Sequence, residues 1–509
     1  MAAFPRLSLP TELLHTIMSL VRHDDLPALA LANKLCNEIC TPILYQAVDL
    51  YDYSAARKCL STLTSHPSTL SFCRDLACLV RSFRLHTSCH TAEPFTNDPV
   101  FDDLLVRSVA RMSNLRALEC TESRECGLLV LLELLGAERL ALKRIEISLV
   151  WSSLLPTEDE YERAFLQLVN RRVAMPRLTE LHVHAPINLS PSLATVLHRM
   201  IASSSETLRK LSVTMGNRTV LPTIVPPLST WHSLQQLEIY ADALQLPGFG
   251  HLALVKSLSI IDTVSPPPDG FVVPATHWPV LEELACFPEW VPYFLPPQAE
   301  TRRPIHTIRL SYALYEHNGG SYSPDNTPLW KDSLHALAHT RYSAVSLKHF
   351  IFQVDKLNVE RFERMLPYLR EVESIAIVIV TCPDAANVQA LGARIIARLP
   401  HLHTLLLSDT AYKEFGPNKA FKFARDVVLQ RAWLAEYARH SSVLRHVAFT
   451  TEFEWEKGDD GAWYPTELPK DKPVDVDPED DQSVDSLEDE WEEMEDFEDL
   501  EELEDDSDG

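Results

Sequence analysis

The sequence predicts an α/β solenoid preceded by a short helical module and followed by an acidic tail, and three observations carry that prediction. A pattern of apolar-x-x-apolar-x-apolar recurs thirteen times between residues 80 and 449. Ahead of it, residues 7–50 carry leucine and isoleucine at helical spacing. Behind it, residues 471–509 hold 22 acids and one lysine.

In the first module, Leu9-Pro10 opens a helix, with proline near the first helical position and Glu12 near the positive helix end. Leu13, Leu14, Ile17 and Leu20 fall on one helical stripe. Asp24-Asp25 starts a second helix bearing Leu26, Leu29 and Leu31, and Pro42-Ile43-Leu44-Tyr45 leads into an extended run, Val48–Leu50. Three short helices bury too little surface to be robust alone. Read from the residues, the module is a cap on the open end of the solenoid. These residues also resemble the F-box, an adaptor-binding module of about this length. The resemblance implies that the surplus apolar surface meets the adaptor of a Skp/cullin-type ubiquitin ligase. Leu9, Pro10, Leu13, Leu14 and Ile17 take the adaptor-binding role by that resemblance. The module is expected over 1–50, with linking helices over 51–78.

The repeats are expected over 79–455. Their triplets run from Val80/Phe83/Leu85 and Leu115/Leu118/Cys120 to Leu402/Leu405/Leu407 and Leu444/Val447/Phe449, spaced 21 to 42 residues apart. The last two positions of each alternate, as a strand buried on one face requires, and the first closes the turn beneath. Bulky residues lead into several copies: Met112, Met175, Trp231, Trp278 and Leu399. Helical periodicity lies between copies, as over 161–173, 191–202 and 421–440. Strand, loop, helix and return make the unit of a leucine-rich repeat. The asparagine or cysteine that usually follows the triplet is missing and repeat length varies. The whole resembles the F-box/leucine-rich-repeat family with irregular repeats.

Strand residues between the buried positions line the concave face of such a solenoid. The central one is polar in the first seven copies and apolar in the last four, through Ile351, Ala376, Leu406 and Ala448. An exposed apolar patch on a solvated face marks a binding site. Ile351, Val378 and Leu406, with Phe287 and Arg309 at the edge, are therefore the expected partner-binding residues. A loop over 312–330 covering them is the competing reading. Just before each strand, nine of thirteen copies carry a basic residue or histidine: Arg81, Arg116, Lys143, Arg209, Lys256, His306, Lys348, His403 and Arg445. Stacked repeats would line these up as a stripe on which an acidic tail or partner could lie.

The net charge of −26 is mostly the tail's −21, which leaves −5 for residues 1–470. No basic footprint of a nucleic-acid binder is present. The tail, expected to be disordered over 456–509, spaces Leu487, Trp491, Met494, Phe497, Leu500 and Leu503 at helical intervals among its acids. No apolar run approaches a membrane span, and the start lacks a charged region followed by an apolar one, so a cytoplasmic or nuclear protein is expected. The ten cysteines show no framework spacing and are expected to be reduced.

Phosphate-binding, nucleophile-elbow and zinc motifs are missing, so neither cofactor nor catalysis is expected. Glu180, His182 and His184 share one face of a strand, where a polar surface is the plainer reading and a metal the sharper one. The expected function is the substrate-recognition subunit of a Skp/cullin/F-box ubiquitin ligase, monomeric outside its complex, joining the adaptor and its cullin to an unidentified protein substrate. The alternative is a non-catalytic scaffold whose acidic tail serves histones or other basic proteins. A Ran-type GTPase activator also joins such repeats to an acidic tail, but the N-terminal module counts against it.

Overall fold

Every residue of the thirteen triplets is buried, none more than 4% exposed. Each triplet builds one strand of a single sheet. The computed structural model describes residues 10–21, 25–64, 75–86, 99–123, 142–149, 177–185, 191–215, 231–241, 244, 252–261, 271, 273–274, 277–299, 301–310, 327–354, 356–379, 382–409, 423, 425–450 and 453–466.

Within these residues the sheet has sixteen strands in simple chain order. They are β1 (Ala47–Leu50), β2 (Ser82–His86), β3 (Ala117–Ser123), β4 (Arg144–Leu149), β5 (Glu180–Ala185), β6 (Lys210–Met215), β7 (Gln236–Tyr240) and β8 (Ser257–Ile261). The series continues with β9 (Glu283–Cys286), β10 (Thr307–Leu310), β11 (His349–Val354), β12 (Ser374–Ile379), β13 (Thr404–Asp409), β14 (His446–Ala448), β15 (Glu454–Lys457) and β16 (Trp463–Pro465). β1 to β14 are parallel, and β15 and β16 turn back as an antiparallel hairpin. Parallel neighbours that follow each other in sequence give a solenoid-like α/β repeat, in which each unit touches mainly the units beside it.

The register stacks the triplets exactly where a common core needs them: Phe83 beside Leu118, Leu118 beside Ile145, Ile145 beside Leu181, and so on to Leu405 beside Val447. The residue just before each strand forms a second ladder. The Arg116 amide donates to the Arg81 carbonyl at 2.7 Å, and Lys143 to Arg116 at 2.7 Å. Thr179 follows on Lys143 and Arg209 on Thr179, both at 2.8 Å, and the ladder ends with Lys457 on Arg445 at 2.8 Å. It holds successive units one strand spacing apart whatever the length of chain between them.

At the N-terminus, α1 (Thr11–Ser19), α2 (Leu26–Ala32) and α3 (Lys34–Leu44) enclose a small core of Met18, Leu26, Ala30, Ile39 and Cys40, separate from the main one. Asn33 caps α3 by accepting from the Cys36 amide at 2.9 Å, and its Asn37 amide group donates to the Ala30 carbonyl at 3.3 Å. α3 runs through Pro42, which sits in its last turn, and delivers the chain to β1. That strand belongs to the sheet, so the helical module and the repeats share an edge.

Helices cover the buried face. α4 (Tyr53–Thr64) and α5 (Pro99–Arg111) are tied by Ser108 donating to the Leu60 carbonyl at 3.1 Å and by Arg111 donating to the Thr64 carbonyl at 2.6 Å. α6 (Pro191–Ser204) and α7 (Val291–Phe294) follow, then α8 (Thr327–His339) and α9 (Val359–Glu363). α10 (Ala385–Arg394) packs so close to α11 (Val427–His440) that a Cβ on Gly392 would lie 2.9 Å from Tyr437 Cδ1. The periodicity over 191–202 thus forms a helix, and within that over 421–440 the helix α11 starts at Val427. There Asp426 accepts the Leu429 amide at 2.8 Å and fixes the start. The periodic stretch 161–173 and Met175 lie outside the described residues.

The tail expected from residue 456 begins later, because β15 and β16 extend the sheet to Pro465. Trp455 is fully buried and donates to Gln430 Oε1 at 2.7 Å, while Gln430 donates to the Phe423 carbonyl at 2.9 Å. Asp460-Gly461 makes the turn, with Gly461 at φ 82° and Asp460 accepting the Ala462 amide at 3.0 Å.

Candidate functional site

The face of the sheet opposite the helices presents one central residue per strand, in register: Asp49, Arg84, Glu119, Glu146, His182, Ser212, Glu238, Ser259, Ala285, Arg309, Ile351, Ala376, Leu406 and Ala448. It divides into three stretches of different chemistry.

Over β1 to β5 the row is charged and largely satisfied by itself. Arg84 Nε lies 2.9 Å from Glu119 Oε2, and its Nη1 lies 3.7 Å from Asp49. Arg144 reaches Glu146 at 2.6 Å, Glu180 at 3.8 Å and Glu119 at 4.0 Å. Tyr51 stacks on His86 with ring centroids 4.3 Å apart and donates its hydroxyl to Asp49 at 3.1 Å. Arg84 stands between Asp49 and Glu119 on adjacent strands, and Arg144 answers the like-charged neighbours Glu119 and Glu146 together with Glu180, which lowers the attraction left for a ligand. His182 is half-buried, and burial, followed by the nearby Lys210, holds its imidazole below the usual histidine range. His184 bonds to the Thr214 hydroxyl. Among the described residues no group of three or more His, Cys, Asp or Glu side chains is placed to hold a metal ion. Glu180, His182 and His184 do share the open face.

Over β6 to β11 the face sinks into a cavity of about 220 Å³. Small residues Ser257, Ser259 and Ala285 floor it, and Lys210, Glu238, Glu283, Arg309 and Ile351 stand around them. Over β11 to β14 the row is apolar. Ile351, Ala376 and Leu406 are half-buried, and Ala448 is buried at the hairpin end.

The five residues expected to bind a partner are distributed unevenly over this surface. Arg309, Ile351 and Leu406 belong to the central row, with Ala376 between the last two. Arg309 and Ile351 line the cavity, which joins the apolar stretch to the depression. Val378 lies in the neighbouring row, between Gln353 and Ser408, and is half-buried. Phe287 is set apart. It follows β9, begins the 3-10 turn Pro288–Trp290 and packs against the main core. Residues 311–326 of the loop that might have covered the patch lie outside the described residues, and Trp330 packs edge-on against Phe352 on the buried side.

A second apolar surface lies on the N-terminal helices. Leu13 is 51% exposed, Ile17 46%, Leu20 82% and Leu31 85%. Pro10 is exposed at the start of α1, Leu14 turns inward onto the small core, and Leu9 lies outside the described residues. One helical stripe in the sequence is thus two faces in the fold: Leu14 and Met18 inward, Leu13, Ile17 and Leu20 outward.

No family model and no curated protein matches the sequence. Among solved structures, the crystal structure of the Rad7 and Elc1 complex in yeast is similar at 14% identity, with a TM-score of 0.33. The match covers 87% of this chain and 88% of that one. A likeness this low transfers no function, and the surfaces must speak for themselves.

Sequence reasoning missed three parts of this face. Asp49 as its first rung was hidden because β1 carries no full triplet. The cavity was missed because its small floor residues are visible only once strands are in register. The hairpin was missed although Asp460-Gly461 between two tryptophan-bearing segments is a turn signal.

Proposed function

We propose that this chain is the substrate-recognition subunit of a Skp/cullin/F-box ubiquitin ligase. Its N-terminal helices, read as an F-box, bind the Skp-type adaptor and through it a cullin. Its sheet, read as an irregular leucine-rich-repeat solenoid, holds a protein substrate on the open face, over the cavity and the apolar stretch from Ile351 to Leu406. The chain then acts by proximity, presenting the substrate to a separate conjugating enzyme in the cytoplasm or nucleus.

The observation that carries the reading is the outer face of α1. Leu13, Ile17 and Leu20 stand in solvent although the helix already has an apolar core beneath Leu14 and Met18. A module that only capped the sheet would turn its spare apolar side chains toward the sheet. These point away from both cores, as a docking surface for another protein would.

The test is capture of a Skp-type adaptor by the full chain and by a Leu13→Asp/Ile17→Asp variant. Both side chains are exposed, so the variant should fold and lose the adaptor by at least a hundredfold. Equal capture, or none by the parent chain, would sink the ligase reading. The second reading, a scaffold outside ubiquitylation that binds histones or other basic proteins, is favoured by the 22 acids of the tail. It requires histone binding that disappears when those acids are neutralised, with no adaptor bound.

A further inference from the structure

The edge of the sheet at which the strands begin carries a stripe of cations that is paired with acids in its middle and most densely open toward the N-terminal end. Arg81, Arg116, Lys143 and Arg209 immediately precede β2, β3, β4 and β6, and all four are exposed. The backbone ladder through Thr179 holds them in line. None of the four pairs with an acid among the described residues. Farther along, the same stripe neutralises itself: Lys256 meets Glu282 and Lys348 meets Glu373, each at 2.9 Å. Four open cations stand at the β2 end against Arg445 alone before β14, with the self-paired stretch between them.

We propose that the β2 end is occupied by the chain's own acidic segment, residues 488–508. That segment holds fifteen acids and no base. Its length suits the task. Thr466, the last described residue, donates to the Glu454 carbonyl at 2.8 Å, at the opposite end of the sheet. From β16, which Thr466 follows, to β6 is ten strand spacings and to β2 is fourteen, or about 48 to 67 Å at ~4.8 Å each. The 22 residues from Thr466 to Glu488 reach at most about 75 Å when extended. The dense acidic block therefore arrives beside the open cations, whereas a tail half as long would stop at the self-paired stretch.

Tethering also decides the occupant. A segment on the same chain is present at an effective concentration of roughly millimolar, so even weak electrostatic attraction keeps it seated against dilute acidic competitors. Ser507 lies inside the block, and a phosphate there would tighten the contact. The inference stands apart from the adaptor reading, since it uses neither the N-terminal helices nor the open face.

The test compares the full chain with a full-length variant in which the fifteen acids become Asn or Gln, using a polyglutamate peptide of about 20 residues as the probe. With the tail seated, the probe should bind the neutralised chain at least tenfold tighter than the parent, and less tightly as salt rises. In the parent chain, carbodiimide should couple Lys143 to a peptide from 488–508 within one molecule. Arg81→Gln/Arg116→Gln/Arg209→Gln, which leaves Lys143 in place, should reduce that coupling severalfold without changing the melting temperature by more than a few degrees. Equal probe binding to both chains, binding to neither, or coupling only between molecules would each overturn the proposal. Equal, salt-sensitive binding would instead assign the stripe to an acidic partner.

Discussion

Arg303 has one of the largest fully buried side chains in the molecule, and no carboxylate is bonded to it among the described residues. It donates instead to three carbonyls: His277 at 3.0 Å, and Phe294 and Pro274 at 2.6 Å. The guanidinium also lies 5.8 Å from the Phe294 ring centre, and burial lowers its pKa to about 10. One side chain thereby ties α7 and the turn around Trp278 to the strand that follows. Arg303→Met fills the volume but takes the guanidinium donors from the His277 and Phe294 carbonyls, while the Pro274 carbonyl keeps the His277 amide at 2.9 Å. Denaturant unfolding should record a loss of about 2–4 kcal/mol, and a change below 0.5 kcal/mol would mean water replaces the arginine at little cost. Nothing in the sequence singles out this arginine from Arg302 beside it. Its importance depends on carbonyls as distant as Pro274 converging on it, which periodicity cannot reveal.

At the scale of the element, the strands were legible and the helices less so. A triplet repeated thirteen times identifies the buried positions because alternation is enforced by the pleat, and the register then follows. The same logic placed Ile351 and Leu406 on the open face, but it could not separate Phe287, whose next residues leave the strand for a tight turn. On helix α1, the spacing named an apolar stripe without saying which leucine faces in, because Leu13 and Leu14 are adjacent and the deciding neighbours come from α2 and α3. If β11 to β13 form the substrate surface, Ile351→Asp/Leu406→Asp should lower substrate capture by at least tenfold. Burying each apolar side chain against a partner is worth roughly 1.5–3 kcal/mol. The melting temperature should move only slightly, since both side chains are half-exposed. Unfolding of the variant, read by circular dichroism, would show that the two belong to the core instead.

Across the molecule, stability should depend on pH in two stages. Burial holds the His182 and His339 imidazoles below the usual value of 6.5. The unfolded chain therefore binds more protons than the folded one near pH 6, and stability falls as pH drops through that window. Glu363 and Glu373, held below 4.5 chiefly by hydrogen bonds from Arg394 and Lys348, add a loss only in stronger acid. Urea midpoints should drop between pH 7.5 and 5.5, and His182→Asn/His339→Asn should flatten that slope. An unchanged slope in the variant would place the responsible protons on other groups.

The backbone ladder at the leading edge of the strands turns the sheet into a ruler. Between neighbouring triplets the chain varies from 21 to 42 residues, yet each unit advances by one strand spacing. From β1, where the N-terminal helices join, to β11, where the apolar stretch begins, the sheet counts ten intervals, about 48 Å. Lengthening a loop leaves that distance alone, while gaining or losing one unit changes it by about 5 Å. Whatever binds at the two ends is held at a separation set by the number of strands, so loops are free to diverge while the gauge between the ends is kept.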